Sequence, residues 1–236
     1  MQAPPEQVQR GNMAPNQVLL LHAHESGPNP IKVAIVLELL SIPYALKMWQ
    51  FGHGPNGVKG EAFLAINENG RVPALEDPNT GVVAWESGAV INYLLAEYDH
   101  DGKLGPKDAS KQARVDFDKW VFFLVSGMAP MLGQVNWFRH YHAVDNKDAL
   151  ARFVAQAYRT FDVLEAQLKK TSGASILGGG FSAVDAHFYP WVWEYEFGGL
   201  TLDGHPLIRK WFDKIAGMEE VKKAYTEIDK AAKGQN

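Results

Sequence analysis

Two short segments carry the residues best placed for ligand chemistry. The first is Arg71-Val72-Pro73-Ala74-Leu75 and the second is Trp85-Glu86-Ser87-Gly88-Ala89. Thirteen positions separate Pro73 from Glu86. Proline has no N–H, so at the start of a strand it must stand where the ladder needs no donor. A cis Val72-Pro73 bond would turn the Val72 backbone outward. Its N–H and C=O could then pair with an extended ligand as an added strand does. A proline that merely opens a strand gives the same sequence. Glu86-Ser87 stands just before a helical pattern. A hydroxyl and the unpaired N–H groups of a helix start bind carboxylate, and Glu86 can hold an ammonium group. Ser87 acting only as a helix cap is the alternative. At this spacing the two segments together point to an extended peptide with both an amine and carboxylates.

A third segment, Ser26-Gly27-Pro28-Asn29, bears on sulfur. The chain has no cysteine, which excludes disulfides, zinc–thiolate sites and thiol nucleophiles of its own. Any thiol must come from the ligand. Ser26 and Asn29 can each donate a hydrogen bond to a thiolate, and the helix that follows adds partial positive charge. A thiol pKa of about 8.5 falls by one or two units for about 1.4–2.8 kcal/mol. The same four residues also make an ordinary turn and cap.

Other candidates read as structure. Ser182-Ala183-Val184-Asp185 is a capping box before an apolar helix. His140 and His142 are two apart and would not share a helix face. His22 and His24 could share a strand face, but no third ligand accompanies them, so no metal is expected. Trp137, Phe138, Tyr141, Phe188, Trp191 and Trp193 lie in helical stretches as core, or as the lining of a pocket for a second substrate.

The elements that must position these residues follow from pattern. Val18–His22 is a short apolar run and reads as a buried strand. Ile31–Leu40 has apolar residues at helical spacing, with Pro30 suited to a first turn. Tyr44–Trp49 is a second strand, and Gly-rich Phe51–Lys59 a loop. Val72–Glu76 and Val82–Trp85 flank the turn Asp77-Pro78-Asn79-Thr80-Gly81 and predict a hairpin. Ser87–Tyr98 predicts an amphipathic helix. That order, βαβ then ββα, matches an α/β thioredoxin-like layer over residues 17–98. A redox pair would occupy Ser26 and Asn29 in such a layer. Residues 99–108 read as a linker. Helical patterns then run through Ala109–Ser126, Asp148–Lys169, Ala183–Phe197, Pro206–Ala216 and Glu219–Ala232, so residues 109–236 should be all-α.

Composition bounds the function. The 236 residues are 46% apolar with a net charge of −4, and no basic stripe suggests nucleic acid. No apolar run reaches the roughly 18 residues of a membrane helix. Residues 1–16, with Pro4, Pro5, Gln7, Gln9, Gly11 and Pro15, lack an apolar signal core and read as a disordered tail. A cytoplasmic protein is expected.

From Val18 to Ala232 the chain resembles the cytosolic glutathione transferases. More narrowly, it is similar to the fungal group related to the yeast nitrogen-catabolite regulator and to the bacterial nu class. Pro28-Asn29 before Lys32–Leu37, Asn69–Ala74 and Trp85–Ala89 carry the resemblance, with Ser126–Gln134 and Phe138-Arg139 in the helical half. It implies a thioredoxin-like domain followed by a helical bundle, and a homodimer. It implies glutathione as co-substrate, with Val72 and Pro73 at its cysteinyl backbone and Glu86 and Ser87 at its γ-glutamyl end. Asn29 would lie near the sulfur, Lys59 near the glycyl carboxylate, and Arg152 at a position where bacterial relatives place an arginine at the ligand. No tyrosine lies between Val18 and Asn29, which excludes the tyrosine mechanism of some classes. Gly27 stands where bacterial relatives carry a threonine, leaving Ser26 as the nearby hydroxyl. The implied activity is thiolate attack on a small hydrophobic electrophile, or on a disulfide with two glutathiones. A non-catalytic regulatory or ligand-binding role for the same fold is the alternative. An interaction module, as in translation-factor subunits, is disfavoured by the intact Glu86-Ser87.

Overall fold

Strand β1, Leu19–Ala23, is buried along nearly its whole length. Such a run is expected of a strand covered on both faces. The computed structural model describes residues 15–106 and 110–234. The expected tail therefore lies outside the described residues, apart from Pro15 and Asn16. From β1 the chain crosses through helix α1, Pro28–Leu39, to strand β2, Tyr44–Met48, which pairs with β1 in parallel. Gly27 caps α1 at φ 102°, a conformation glycine adopts without strain, and Pro28 takes the first helical position. A short helix α2, Glu61–Leu64, follows. Strands β3, Ala74–Asp77, and β4, Val82–Trp85, complete a mixed sheet in the order β2-β1-β3-β4. β3 is antiparallel to both neighbours, with Leu75 opposite Leu21 and Ala84. Helix α3 spans Ser87–Tyr98. This is a thioredoxin-like domain. β3 starts at Ala74 rather than at Val72, because Pro73 has no donor for the ladder. Val72 and Pro73 stay outside the pairing.

The remaining elements are helical. They are α4, Lys111–Phe123; α5, Ala129–Asn136; α6, Lys147–Lys170; α7, Ala183–Trp193; α8, Pro206–Ala216; and α9, Glu219–Lys233. π-helical turns at Leu124–Met128 and Trp137–Tyr141 join α4, α5 and the next residues into one helix of 31 residues, Lys111–Tyr141. The sequence pattern ended this helix at Ser126. Gly127 and Pro130 look like breakers, and a proline ring clashes with the carbonyl four residues back. A wide turn just before Pro130 gives it room, which is how π-bulges carry a helix past such a residue. The fused helix is long and apolar enough, by length and composition, to cross a membrane. It also carries Arg114, Asp116, Asp118 and Lys119, and it buries Phe117, Val121, Leu124, Met128, Leu132 and Val135 in the protein core.

α1 ties the two halves together. Ile31, Val33, Ala34, Ile35, Val36 and Leu37 are all buried, as expected for a helix that is apolar all round. It packs on α3 from the first half and on α7 and α9 from the second. Asp185 anchors α7. Its carboxylate accepts from the Ser182 N–H and hydroxyl, both at 2.9 Å, from the Ile176 N–H at 2.9 Å and from Trp211 Nε1 at 2.8 Å.

Candidate functional site

The β4–α3 junction sets the first pair of functional side chains. β4 ends at Trp85 and α3 starts at Ser87, so Glu86 must turn the chain in a single residue. It does so at φ 68°, ψ 114°, a conformation that costs a non-glycine residue about 1–3 kcal/mol and that clusters at ligand sites. Ser87 is buried and Glu86 is exposed. Opposite lies the Val72-Pro73 peptide, which is cis. The turn before it is braced by Asn67, whose Nδ2 donates to the Arg71 carbonyl at 2.6 Å and whose Oδ1 accepts from the Asn69 N–H at 2.9 Å. Gly70 makes this turn at φ 61°, and any Cβ there would meet the Val58 carbonyl at 2.6 Å.

These segments open on one cleft of ≈ 490 Å³. Asn29, Val72, Pro73, Glu86 and Ser87 line one side, and Ala129, Pro130, Gly133, Trp137 and Trp191 of the helical half face them. Asn29 sits in the first turn of α1, and its Oδ1 accepts a 3.1 Å hydrogen bond from Trp191 Nε1. An indole N–H can only donate, so the Asn29 oxygen is committed and its NH₂ is left for the cleft. Gly133, Trp137 and Trp191 also line a larger adjoining cleft of ≈ 1480 Å³, walled by the exposed aromatics Phe51, Tyr141, Trp193 and Phe197.

Three expected site residues stand elsewhere. Ser26 lines the larger cleft, and its hydroxyl is hydrogen-bonded to His24 Nδ1 at 3.0 Å. Lys59 Nζ donates to the Asn69 carbonyl at 2.7 Å, beside the cleft wall but not on it. Arg152 is exposed on α6 and does not line the cleft. The helix surface it occupies turns outward, which residue type and spacing could not reveal.

Two cationic residues on the cleft were missed. Arg71 lines it next to Val72, and only its place in the Arg71-Val72-Pro73 segment hinted at this. Lys32 lies on the cleft floor with 1% of its surface exposed. Burial pulls its pKa down from 10.5 to about 7, and the Glu86 charge works in the other direction. Lys32 sits inside an apolar run, so nothing in the pattern separates it from a solvent-facing lysine.

His22 on β1 and His24 just past its end do not form a ligand pair. His22 Nε2 is 2.7 Å from Glu76 Oε1, and its Nδ1 accepts from Trp49 Nε1 at 2.9 Å. Burial lowers the His22 pKa, with Glu76 opposing. The neutral ring thus donates to Glu76 and has no lone pair for a metal. Among the described residues no three metal-ligating side chains cluster.

Residues 21–106 match the model of the glutathione S-transferase N-terminal domain, and residues 147–214 that of the C-terminal domain. The glutathione S-transferase-like protein tpcF of Aspergillus fumigatus is 33% identical over 216 residues, covering 86% of this chain and 93% of that one. Protein URE2 of Meyerozyma guilliermondii is 36% identical over 167 residues, 69% of this chain and 54% of its own length. The structure of the glutathione transferase URE2P6 from Phanerochaete chrysosporium, solved in complex with oxidized glutathione, superposes with a TM-score of 0.83. Identity is 31%, over 92% of this chain and 98% of the other.

Proposed function

The chain belongs to the glutathione S-transferase family, and on that premise we propose that its smaller cleft binds glutathione and holds the thiolate for attack. The observation that carries this reading is convergence. Val72, Glu86, Ser87 and Asn29 come from three separate stretches of sequence and line one cavity. Each matches a different part of one ligand. The Val72 backbone pairs with the cysteinyl N–H and C=O as an added strand. Glu86 takes the γ-glutamyl ammonium. Ser87 and the start of α3 take its carboxylate. Arg71 on the wall, with Lys59 beside it, supplies positive charge for the glycyl carboxylate. Asn29 Nδ2 then donates to the sulfur, favouring the thiolate. Ser26 lines the larger cleft with its hydroxyl on His24, so Asn29 leads in this reading. Arg152 has no part in it.

The thiolate attacks a co-substrate in the larger cleft, whose aromatic walls suit a flat apolar electrophile. A second reading is disulfide reduction. The related enzyme solved with oxidized glutathione supports it, as does the continuity of the two clefts through Trp137 and Trp191. A homodimer in the cytoplasm, with residues 17–98 and 109–236 as its two domains, completes the reading. Exposed Val115 and Phe122 on α4 favour such pairing.

Glu86→Gln keeps the side chain's shape and removes its charge. The variant should fold, as judged by circular dichroism, and fail to be retained on immobilised glutathione. Retention at full strength would mean that the γ-glutamyl end does not bind here.

A further inference from the structure

A lysine ammonium is among the costliest groups to bury unpaired. Lys32 is nevertheless almost fully enclosed. It lies three residues after Asn29, on the same face of α1. Its Nζ donates to Ser87 Oγ at 3.4 Å and lies 5.8 Å from the centroid of the Trp191 ring. Among the described residues no carboxylate stands within ion-pair distance of it. An ammonium has three donors, and the one bond to Ser87 is long. The buried cation is aimed into the cleft at the hydroxyl that should hold a carboxylate.

Among the described residues its surroundings offer no carboxylate in ion-pair contact, only the more distant Glu86 charge. α3 presents Glu86, which is exposed, and Ser87. α7 presents His187, buried, with neither ring nitrogen partnered among the described residues. Burial first, and then the Lys32 charge, hold His187 well below its ordinary pKa, so it stays neutral. α9 meets α1 at the other end, where Lys223 pairs with Glu38 at 2.7 Å. On β1, His22 is turned to Glu76 and Trp49.

We propose that Lys32 is the counter-ion for the γ-glutamyl carboxylate, which it grips together with Ser87 while Glu86 holds the amine. This rests on the reading of the cleft as a glutathione site. It makes Lys32 the residue that selects a γ-glutamyl group over one lacking the α-carboxylate. The bound carboxylate would raise the Lys32 pKa from its free value of about 7. Binding above that pH then takes up a proton, and affinity falls as pH rises.

The test uses S-hexylglutathione, whose thioether cannot titrate, and its analogue with γ-aminobutyryl in place of γ-glutamyl. Both are titrated calorimetrically into the wild type, Lys32→Met and Glu86→Gln. A hydrogen bond to a charged group supports roughly a 10- to 100-fold loss of S-hexylglutathione affinity in Lys32→Met. The analogue should lose less than about twofold in the same variant. Proton uptake at pH of about 8 should be lower in Lys32→Met than in the wild type by the share that Lys32 supplies. Equal losses for both ligands would make Lys32 a structural residue and overturn the proposal. So would wild-type affinity in Lys32→Met when Glu86→Gln binds poorly. Wild-type affinity in Glu86→Gln would instead remove the glutathione reading itself.

Discussion

Trp191 fixes the orientation of the Asn29 amide from the helical half. Because the indole N–H takes the amide oxygen at 3.1 Å, the NH₂ group is presented without a search over amide orientations. One hydrogen bond to a thiolate is worth about one pKa unit, or about 1.4 kcal/mol. Asn29→Ala should therefore raise the pKa of bound glutathione by about one unit, read from thiolate ultraviolet absorbance against pH. Trp191→Phe leaves the amide in place but frees its orientation, and should produce a smaller rise. An unshifted titration in Asn29→Ala would take Asn29 out of thiolate stabilisation. At this scale the sequence was legible where a residue interrupts its element. Glu86-Ser87 breaks a strand into a helix, Pro73 breaks a ladder, and Asn29 opens a helix. Lys32 and Trp191 interrupt nothing. Their places on the cleft come from burial and from packing between residues 162 positions apart, and periodicity carries no trace of either.

The strand-to-helix hinge depends on Asp77 at the end of β3. Its Oδ2 accepts from the hydroxyls of Tyr93 and Tyr98 on α3, both at 2.5 Å, and its Oδ1 from Asn79 N–H and Nδ2 at 2.8 and 2.9 Å. Hairpin turn and helix are thus clamped on either side of Glu86. Burial disfavours the Asp77 charge, but the Tyr93, Tyr98 and Asn79 donors outweigh it and hold the carboxyl below its ordinary range. A carboxylate with a depressed folded pKa stabilises the fold above its unfolded value of about 3.9, and that stability is lost as pH falls through the folded value. Asp77→Asn should cost about 1–3 kcal/mol in urea unfolding at neutral pH. The gap from the wild type should narrow as pH falls below the unfolded carboxyl value of about 3.9. A constant gap at all pH values would mean that the charge is not what holds the clamp. The hairpin itself was plain in the sequence, since Asp77-Pro78-Asn79-Thr80-Gly81 is turn chemistry between two apolar runs. The helix through Tyr141 was not. Gly127 and Pro130 are breakers by local rules, and only packing of the residues on either side makes the π turns worth forming.

The chain contains no cysteine and so no thiol of its own, and this constrains its chemistry more than any one residue does. In transfer, one glutathione thiolate displaces a leaving group from carbon, and the rate depends on glutathione once. In disulfide reduction the first thiolate attacks one sulfur and expels the other as a thiolate, leaving a mixed disulfide with glutathione. No cysteine in the chain can resolve that species. A second glutathione must attack it, giving glutathione disulfide and the remaining substrate thiolate. The proposed route has room, because Gly133, Trp137 and Trp191 are shared by the smaller cleft and by the larger space beside it. Both clefts are lined by residues of the first half, around α1, and of the helical half, so docking of the two halves creates the space that the proposed reactions need. With a small dialkyl disulfide, the protein should consume two glutathiones per disulfide, and the mixed disulfide should accumulate when glutathione is scarce. Intact-protein mass spectra during turnover should show no disulfide adduct of the protein. A mixed disulfide at the protein mass would require a thiol that this chain does not possess and would refute the two-glutathione route. Turnover of aromatic electrophiles with first-order dependence on glutathione, and none with disulfides, would assign the larger cleft to transfer alone.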